Sequence, residues 1–426
     1  MEKKLCVIGL GYIGLPTAAV FADSGWKVTG IDTNPIVVET LNKGNVHIEE
    51  NGLEEIVDRV VKNGSLTARM TPVNANVYII AVPTPHNPDL TANLNYLKSA
   101  VRSIIPVIES GNTIIVESTI PPRTMQDVVN PLLIKEGFIT GENIHLAHCP
   151  ERVLPGKILD ELVFNNRIVG GLDPISTEVA VDVYRTFVKG NILKTSAENA
   201  EMAKLMENTY RDVNIALANE LTKISENLNI NPLEVISLAN EHPRVNIHQP
   251  GPGVGGHCLA VDPYFIIEKD PVNSLLISNA RKINESMPGF VVEKVKQAIG
   301  SNSTVTLFGL AYKGDIDDIR ESPALKVYKQ LIDCGYSVKP YDPHVKQEQV
   351  DFNLYSLEDS LKNSDMVVIL TDHSEFKLLD WKQITGLMRN DYVLDTKGCL
   401  NKCTLKNYFN YDNLYELKPN TISLTY

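Results

Sequence analysis

The chain has 426 residues, 43% of them hydrophobic and 22% charged, with a formal net charge of −12. That length calls for two or three domains, the composition is that of a soluble globular protein, and the acidic balance excludes the broad basic face that a nucleic-acid partner needs. An anionic small molecule stays compatible if arginines and lysines converge locally. Lys3 and Lys4 before the apolar run Leu5 to Ala22 have the outline of a signal peptide. Gly9, Gly11, Gly14 and Pro16 break that run in the manner of a strand, a turn and a helix. No other apolar run is long enough to span a bilayer. The six cysteines, Cys6, Cys149, Cys258, Cys334, Cys399 and Cys403, have no framework spacing. Reduced thiols in a cytoplasmic protein are expected.

In chain order, β-rich runs alternate with helical patterns through the first half: Lys4–Gly9, Lys27–Asp32, Val77–Val82, Thr113–Glu117, Ile144–His148 and Arg167–Val169. Such alternation predicts a parallel sheet covered by helices. From Glu198 to Leu228 one long amphipathic helix is expected, with a shorter one over Pro232 to Ala239. The last third returns to the first pattern, with strands at Thr304–Leu310, Ser337–Tyr341, Met366–Thr371 and Tyr392–Asp395. The fold class is therefore α/β, with two doubly wound, Rossmann-like domains joined by a helical middle domain. The divisions are expected at 1–195, 196–295 and 296–426.

Gly9-Leu10-Gly11-Tyr12-Ile13-Gly14 follows a strand and opens a helix, and Asp32 ends the next strand. Each part has a task in dinucleotide binding: a tight turn, backbone access to pyrophosphate, close helix packing and an acceptor for ribose hydroxyls. The helix N-terminus favours the phosphates. Asp32 points to NAD over NADP, since a carboxylate repels a 2′-phosphate and no arginine follows it at once. Pro83, Thr84, Ser118 and Thr119 fall at the carboxyl ends of strands, where ligands of open sheets bind, although ordinary turn chemistry explains them equally.

Gly251-Pro-Gly-Val-Gly-Gly-His-Cys258-Leu-Ala-Val-Asp262-Pro263 sets a thiol among small residues, with a carboxylate four positions on. Cys258 reads as a buried structural thiol, as a metal ligand with His242, His248 and His257, or as a nucleophile. The histidines lack compact ligand spacing, and His145-x-x-His148-Cys149 sits on an expected strand end, so no metal is expected. Lys204, Asn208 and Arg211 share one face of the long helix. Solvation explains such a face, but a lysine there can also take a hydroxyl proton or hold an oxyanion.

Together these motifs resemble the UDP-glucose/GDP-mannose dehydrogenase family over essentially the whole chain. The glycine fingerprint with Asp32, Glu117-Ser118-Thr119, Cys149-Pro150-Glu151-Arg152, Glu201-Met202-Ala203-Lys204-x-x-x-Asn208, Gly255-Gly256-x-Cys258-x-x-x-Asp262 and Phe308-Gly309-Leu310-Ala311-Tyr312-Lys313 occur in family order. The resemblance implies oxidation of the C6 hydroxyl of a nucleotide sugar to a carboxylate by two NAD in succession, in a homodimer with no membrane or nucleic-acid partner. It implies that Cys258 captures the C6 aldehyde, that Lys204 handles the alcohol proton beside Asn208, and that Asp262 tunes the thiol or a water. Glu151 and Thr119 are implied to position the hydrolytic water. Arg152, Val153, Lys204, Asn208, Arg211, His242, Arg244, Gly255, Tyr312 and Lys313 are implied to contact the UDP-sugar. Arg320 is implied to reach the NAD pyrophosphate, with an intradomain salt bridge as its alternative.

Within the family, the stretches from Pro150 to Gly156, His242 to Asn246 and Cys258 to Phe265 are most similar to the branch that oxidises UDP-N-acetyl-D-mannosamine. That branch implies an amino-uronic acid for a surface polysaccharide. The UDP-N-acetylglucosamine branch usually has proline where this chain has Ala260, and the UDP-glucose branch a lysine at Val261 and a second glutamate at Pro155. Two alternatives lie outside the family: a single-step hydroxyacid dehydrogenase, which needs no thiol and no third domain, and a non-catalytic NAD or nucleotide-sugar sensor.

Overall fold

A computed structural model describes residues 3–154, 156–400 and 405–417; Pro155 and Cys403 lie outside the described residues. The chain divides into two compact units, Met1–Glu207 with Tyr264–Pro271, and Asn208–Pro263 with Val272–Tyr426. Position 195 falls inside a strand and position 295 inside a helix.

The first unit is built on an eight-stranded sheet: β1 (Lys4–Ile8), β2 (Lys27–Ile31), β3 (Leu66–Arg69), β4 (Val77–Ile80), β5 (Asn112–Val116), β6 (Ile144–His148), β7 (Arg167–Gly171) and β8 (Ile192–Ser196). Their spatial order is β3-β2-β1-β4-β5-β6-β7-β8. The order reverses between β1 and β4, which makes the loops after those strands a switch-point crevice. Both faces of β1 are dry: Leu5 and Val7 enter one apolar core, Cys6 and Ile8 the other. Burial on both faces explains why these strands read as continuous apolar runs rather than as alternating ones.

Two strands, β7 and β8, break the parallel rule expected from the sequence, running parallel to each other and opposite to the rest. β7 runs antiparallel to β6, with Ala147 facing Gly171 and His148 facing Gly170. The helix between them, Ile158–Phe164, has seven residues. It does not carry the chain back along the length of the sheet, so β7 returns from the carboxyl end.

The long helix runs from Ala197 to Leu228, 32 residues without glycine or proline. It stops where Asn229 takes a left-handed φ of 54°, a common helix terminator. Asn231 then caps the Pro232–Asn240 helix, accepting from the Leu233 and Glu234 N–H groups. In the second unit the long helix is tied to the Leu275–Ala298 helix by polar contacts. Arg281 donates to Asp212 at 2.6 Å, Asn284 donates to the same carboxylate at 2.8 Å, and Asn219 donates to Asn284 at 2.9 Å. All four are buried.

The second sheet comprises β9 (Thr304–Phe308), β10 (Ser337–Tyr341), β11 (Met366–Ile369), β12 (Tyr392–Asp395) and β13 (Tyr408–Asn410), in the order β10-β9-β11-β12-β13 and parallel throughout. Met287, Val291 and Val295 from the end of the Leu275–Ala298 helix share an apolar core with Val305, Leu307 and Val368 of this sheet. Among the described residues, no helix is long and apolar enough to cross a membrane.

Candidate active site

In the first unit the dinucleotide loop has the geometry that its glycines demand. Gly9 has φ +91°, and a Cβ there would fall 2.5 Å from the Ala81 carbonyl oxygen. A Cβ on Gly14 would fall 1.8 Å from the Gly9 carbonyl oxygen, so the helix packs against the turn only as glycine. Gly11 faces open space. Tyr12 is exposed beside it, and Ile13 precedes the first helical residue. Asp32 Oδ2 accepts from the Leu10 N–H at 3.1 Å and Oδ1 from the Asn34 N–H at 2.9 Å, and the side chain stays half-exposed. An open glycine next to a carboxylate with spare acceptor capacity fits a dinucleotide whose ribose hydroxyls need an acceptor.

The neighbouring turns are clamped to one another. The Ser118 hydroxyl accepts from the Val82 N–H at 2.9 Å and donates to the Val82 carbonyl at 2.7 Å. Thr84 donates to the Thr119 carbonyl at 2.5 Å. Ser118 therefore spends its hydroxyl on the backbone, while the half-buried Thr119 and the exposed Pro83 form the rim. Glu201, on the long helix, receives the Arg123 and Met125 N–H groups at 2.5 and 2.8 Å and so holds the segment that follows Thr119. Burial raises its carboxyl to about 7.

Glu151 is buried at the end of the segment leaving β6. Its Oε1 accepts from the Arg152 N–H at 2.6 Å and its Oε2 from Arg167 at 3.2 Å. The following loop is held by carboxylates: Glu50 receives the N–H groups of Gly156 and Ile158, and Glu161 that of Leu154. Arg152, expected to contact substrate, grips Glu207 with Nε at 3.0 Å and a terminal nitrogen at 2.6 Å. Its remaining nitrogen donates to the Asn166 carbonyl at 3.0 Å. Val153 packs against the apolar core. Lys204 is half-buried on the long helix.

In the second unit Cys258 is partly exposed in a turn closed by N–H groups of Val261 and Asp262 on its own carbonyl, at 3.0 and 2.8 Å. Asp262 opens the helix Asp262–Lys269, and Asn208 donates to its Oδ2 at 2.6 Å. Both side chains are buried. Asn208 thus orients the carboxylate of the residue whose N–H closes the turn on Cys258.

The two glycines ahead of Cys258 are required by close packing. A Cβ on Gly256, whose φ is +85°, would fall 2.8 Å from Tyr312 Cε2, and one on Gly255 would fall 2.8 Å from Tyr312 Cβ. The loop lies flat on the Tyr312 side chain, and the Gly256 N–H donates to the Arg320 carbonyl at 3.0 Å. Arg320 itself grips Asp318, with a contact of 2.6 Å, and reaches His257 Nδ1 at 3.1 Å. The salt-bridge alternative for Arg320 is therefore realised in this arrangement. Lys313, Arg211, His242 and Arg244 are exposed. Asn214 pins the loop after His242 to the long helix, donating to the Asn246 carbonyl and accepting from the His248 N–H.

The second sheet has its own version of Asp32. Asp342 follows β10 directly and receives the N–H groups of Leu310 and Ala311, as Asp32 receives that of Leu10, together with those of His344 and Val345. His373 adds a contact at 3.1 Å, and both side chains are fully buried. Burial alone would raise the Asp342 carboxyl; His373 and the Leu310 and Val345 N–H groups overcome it and hold it near 2. Asp315, His344, His373 and Glu375 bring ligand atoms within 4.8 Å of one another. His373, however, already spends Nδ1 on the Asp315 N–H at 2.9 Å and Nε2 on Asp342, so it offers no spare lone pair to a cation.

Sequence reasoning left Arg167, Glu50 and Glu201 without roles. A charged residue opening the apolar strand Arg167-Ile-Val-Gly-Gly was the one local signal, and the partners of all three lie far along the chain.

Comparison with known proteins adds the following. The chain matches the NAD binding domain of the UDP-glucose/GDP-mannose dehydrogenase family over residues 3–188, its central domain over 198–286 and its UDP binding domain over 306–402. It is 49% identical over 407 residues to a UDP-N-acetyl-D-mannosamine dehydrogenase of Methanocaldococcus jannaschii, covering 94% of this chain and 93% of the relative. A solved UDP-N-acetyl-mannosamine dehydrogenase from S. aureus superposes with a TM-score of 0.89 at 53% identity, covering 97% of this chain and 100% of that one. A UDP-D-ManNAc dehydrogenase from Pyrococcus horikoshii gives 0.91 at 40% identity, with 97% and 100% covered.

Proposed function

Because the chain belongs to the UDP-glucose/GDP-mannose dehydrogenase family, we propose that it oxidises the C6 hydroxyl of UDP-N-acetyl-D-mannosamine to the carboxylate of UDP-N-acetyl-D-mannosaminuronate, consuming two NAD and one water. The observation that carries this reading is Cys258 four residues ahead of Asp262, whose N–H closes on the Cys258 carbonyl at 2.8 Å and whose carboxylate is fixed by a 2.6 Å hydrogen bond from Asn208. A simple alcohol dehydrogenase has no use for that pair. Support for the sugar comes from the names of the S. aureus, P. horikoshii and M. jannaschii relatives and from the Ala260-Val261 spacing before Asp262. The division at 1–195, 196–295 and 296–426 into dinucleotide, central and UDP-binding parts is supported by the extents of the three family matches.

In this scheme Lys204 takes the proton of the C6 hydroxyl as hydride leaves that carbon. The Cys258 sulfur adds to the resulting aldehyde, forming a C–S bond and a hemithioacetal oxygen that Lys204 and Asn208 stabilise. Loss of a second hydride from C6 leaves a thioester. Water, held by Glu151 and Thr119, attacks the acyl carbon; the C–S bond breaks and Asp262 governs the proton balance of the departing sulfur. Bound NAD supplies the hydride acceptor for each oxidation, held at Gly9, Gly11, Gly14 and Asp32. Tyr312, Lys313, Arg211 and Arg244 supply the cations and the donor that a diphosphate needs.

The test is NADH yield per sugar with UDP-N-acetyl-mannosamine, UDP-N-acetylglucosamine and UDP-glucose as separate substrates. Close to two NADH per molecule, with the highest kcat/KM for the first, is expected. A yield near one would sink the four-electron scheme, and a preference for either other sugar would move the chain to that branch.

We further infer a cytoplasmic homodimer. Tyr210, Leu217 and Ile224 recur every seven residues on the long helix, 49–56% exposed, and Leu228 extends the stripe at 60%. An exposed apolar stripe at that spacing matches a helix partner. Leu217→Glu combined with Ile224→Glu is expected to halve the mass measured by light scattering; an unchanged mass would place the interface elsewhere.

A further inference from the structure

Beneath Glu151 the first unit buries charges that the scheme above leaves idle. Arg167 is 6% exposed and sets one terminal nitrogen 3.2 Å from Glu151 Oε2 and the other 3.3 Å from Glu117 Oε1. Its guanidinium lies 4.6 Å from the centre of the Tyr184 ring, whose hydroxyl donates to Glu117 Oε1 at 2.6 Å. The other Glu117 oxygen receives the Thr17 hydroxyl at 3.3 Å, and Thr17 belongs to the Gly14–Asp23 helix that follows the dinucleotide loop.

The reversed strand is what makes this cluster possible. The β6–β7 pairing, extended three residues beyond His148, brings Arg167 level with Glu151. A parallel β7 would have left its first residue at the opposite end of the sheet.

Stability does not account for the arrangement. Replacing buried ion groups of this kind with apolar packing is often neutral or stabilising, because desolvation consumes the Coulomb gain. Buried charges that persist beside a reactive carboxylate point to function.

We propose that Arg167, with Glu117 as its second carboxylate, is the positioning residue for Glu151, holding that carboxylate in place for the hydrolytic half of the reaction and tying it through Thr17 to the dinucleotide helix. The proposal rests on the role given to Glu151 above. Burial raises the Glu117 carboxyl to about 7, against the pull of Arg167. Near neutrality, therefore, Glu117 exchanges a proton. When protonated it leaves the guanidinium to Glu151 alone; when ionised it divides it. The other groups facing the cluster stay neutral there: burial pushes the Cys149 thiol up to about 12 and the Tyr184 hydroxyl well above its usual range.

The experiment follows acid release by the full-length enzyme in single turnovers, separately from NADH formation, across pH 6–9. Glu117→Gln keeps shape and hydrogen bonding, and is expected to remove the inflection near 7 from the hydrolysis profile. Arg167→Lys keeps the charge but loses the fork that reaches two carboxylates. It is expected to slow hydrolysis by on the order of tenfold to a hundredfold, as loss of an orienting partner does, with the first hydride step within about twofold of wild type. If both variants shift only the melting temperature and leave the rate and profile of hydrolysis unchanged, the proposal is overturned. Should Arg167→Lys fail to fold, the Glu117→Gln profile decides alone. Glu151→Gln separates the two layers: unchanged hydrolysis in that variant overturns the role of Glu151 itself, and the positioning role with it.

Discussion

Replacing Cys258 by alanine is expected to abolish acid formation, by on the order of 10⁴- to 10⁶-fold, the loss seen when a covalent nucleophile is removed. The residue it leaves has no atom to bond the aldehyde carbon, so the second hydride departs only from whatever free hydrate forms. NADH release then stops near one per enzyme-bound sugar instead of continuing to two. Fold effects are small, because the thiol is only partly buried and its turn is closed by backbone bonds from Val261 and Asp262. Rapid-quench analysis of product and NADH checks the outcome. Steady formation of the uronate by Cys258→Ala at a rate near wild type would end the covalent scheme, whatever the first oxidation does.

The largest stability effect is expected at Asp212, well away from any proposed chemistry. Asp212→Ala leaves the Arg281 guanidinium, 3% exposed, without its closest carboxylate, and leaves Asn284 only the backbone carbonyl of residue 212 as an acceptor there. Breaking one side of a buried pair costs about 3–5 kcal/mol. For a cooperative unit of about two hundred residues that corresponds to a fall in melting temperature of roughly 6–20 °C. The double variant Asp212→Leu with Arg281→Met removes both charges and should recover most of the loss. Thermal unfolding followed by circular dichroism measures both. A loss below about 1 kcal/mol for Asp212→Ala would mean that solvent reaches Arg281 and that the helix pair is looser than its hydrogen bonds imply.

Local chemistry explains which parts of this molecule could be read from its sequence. The Gly9 to Gly14 turn and Asp32 were legible because each glycine answers a constraint within its own strand, turn and helix. The long helix was legible because 32 residues without a breaker leave few other options. β3 and β8 were missed, since edge strands bury little: in β8 no residue is fully buried. β13 has only three residues. The reversal of β7 depends on how short a connection the chain provides, which periodicity does not encode. Gly255 was expected to contact the UDP-sugar, but nothing local showed that it and Gly256 pack on the Tyr312 side chain, more than fifty positions away. The Glu117–Arg167 pair has the same character, fifty positions apart and visible only once β5 and β7 are placed.

Asp342 and His373 have a consequence for cofactor stoichiometry. The second sheet repeats the strand–turn–acid arrangement that Gly9 to Asp32 form in the first, yet its acid is saturated from within by an imidazole and four N–H groups. A resident side chain thus takes the acceptor that a ribose hydroxyl would need there. In the proposed scheme each chain would then take up a single dinucleotide at a time, and the two oxidations would be separated by an exchange of reduced for oxidised cofactor at that one place, with the sulfur of Cys258 retaining the half-oxidised sugar during the interval.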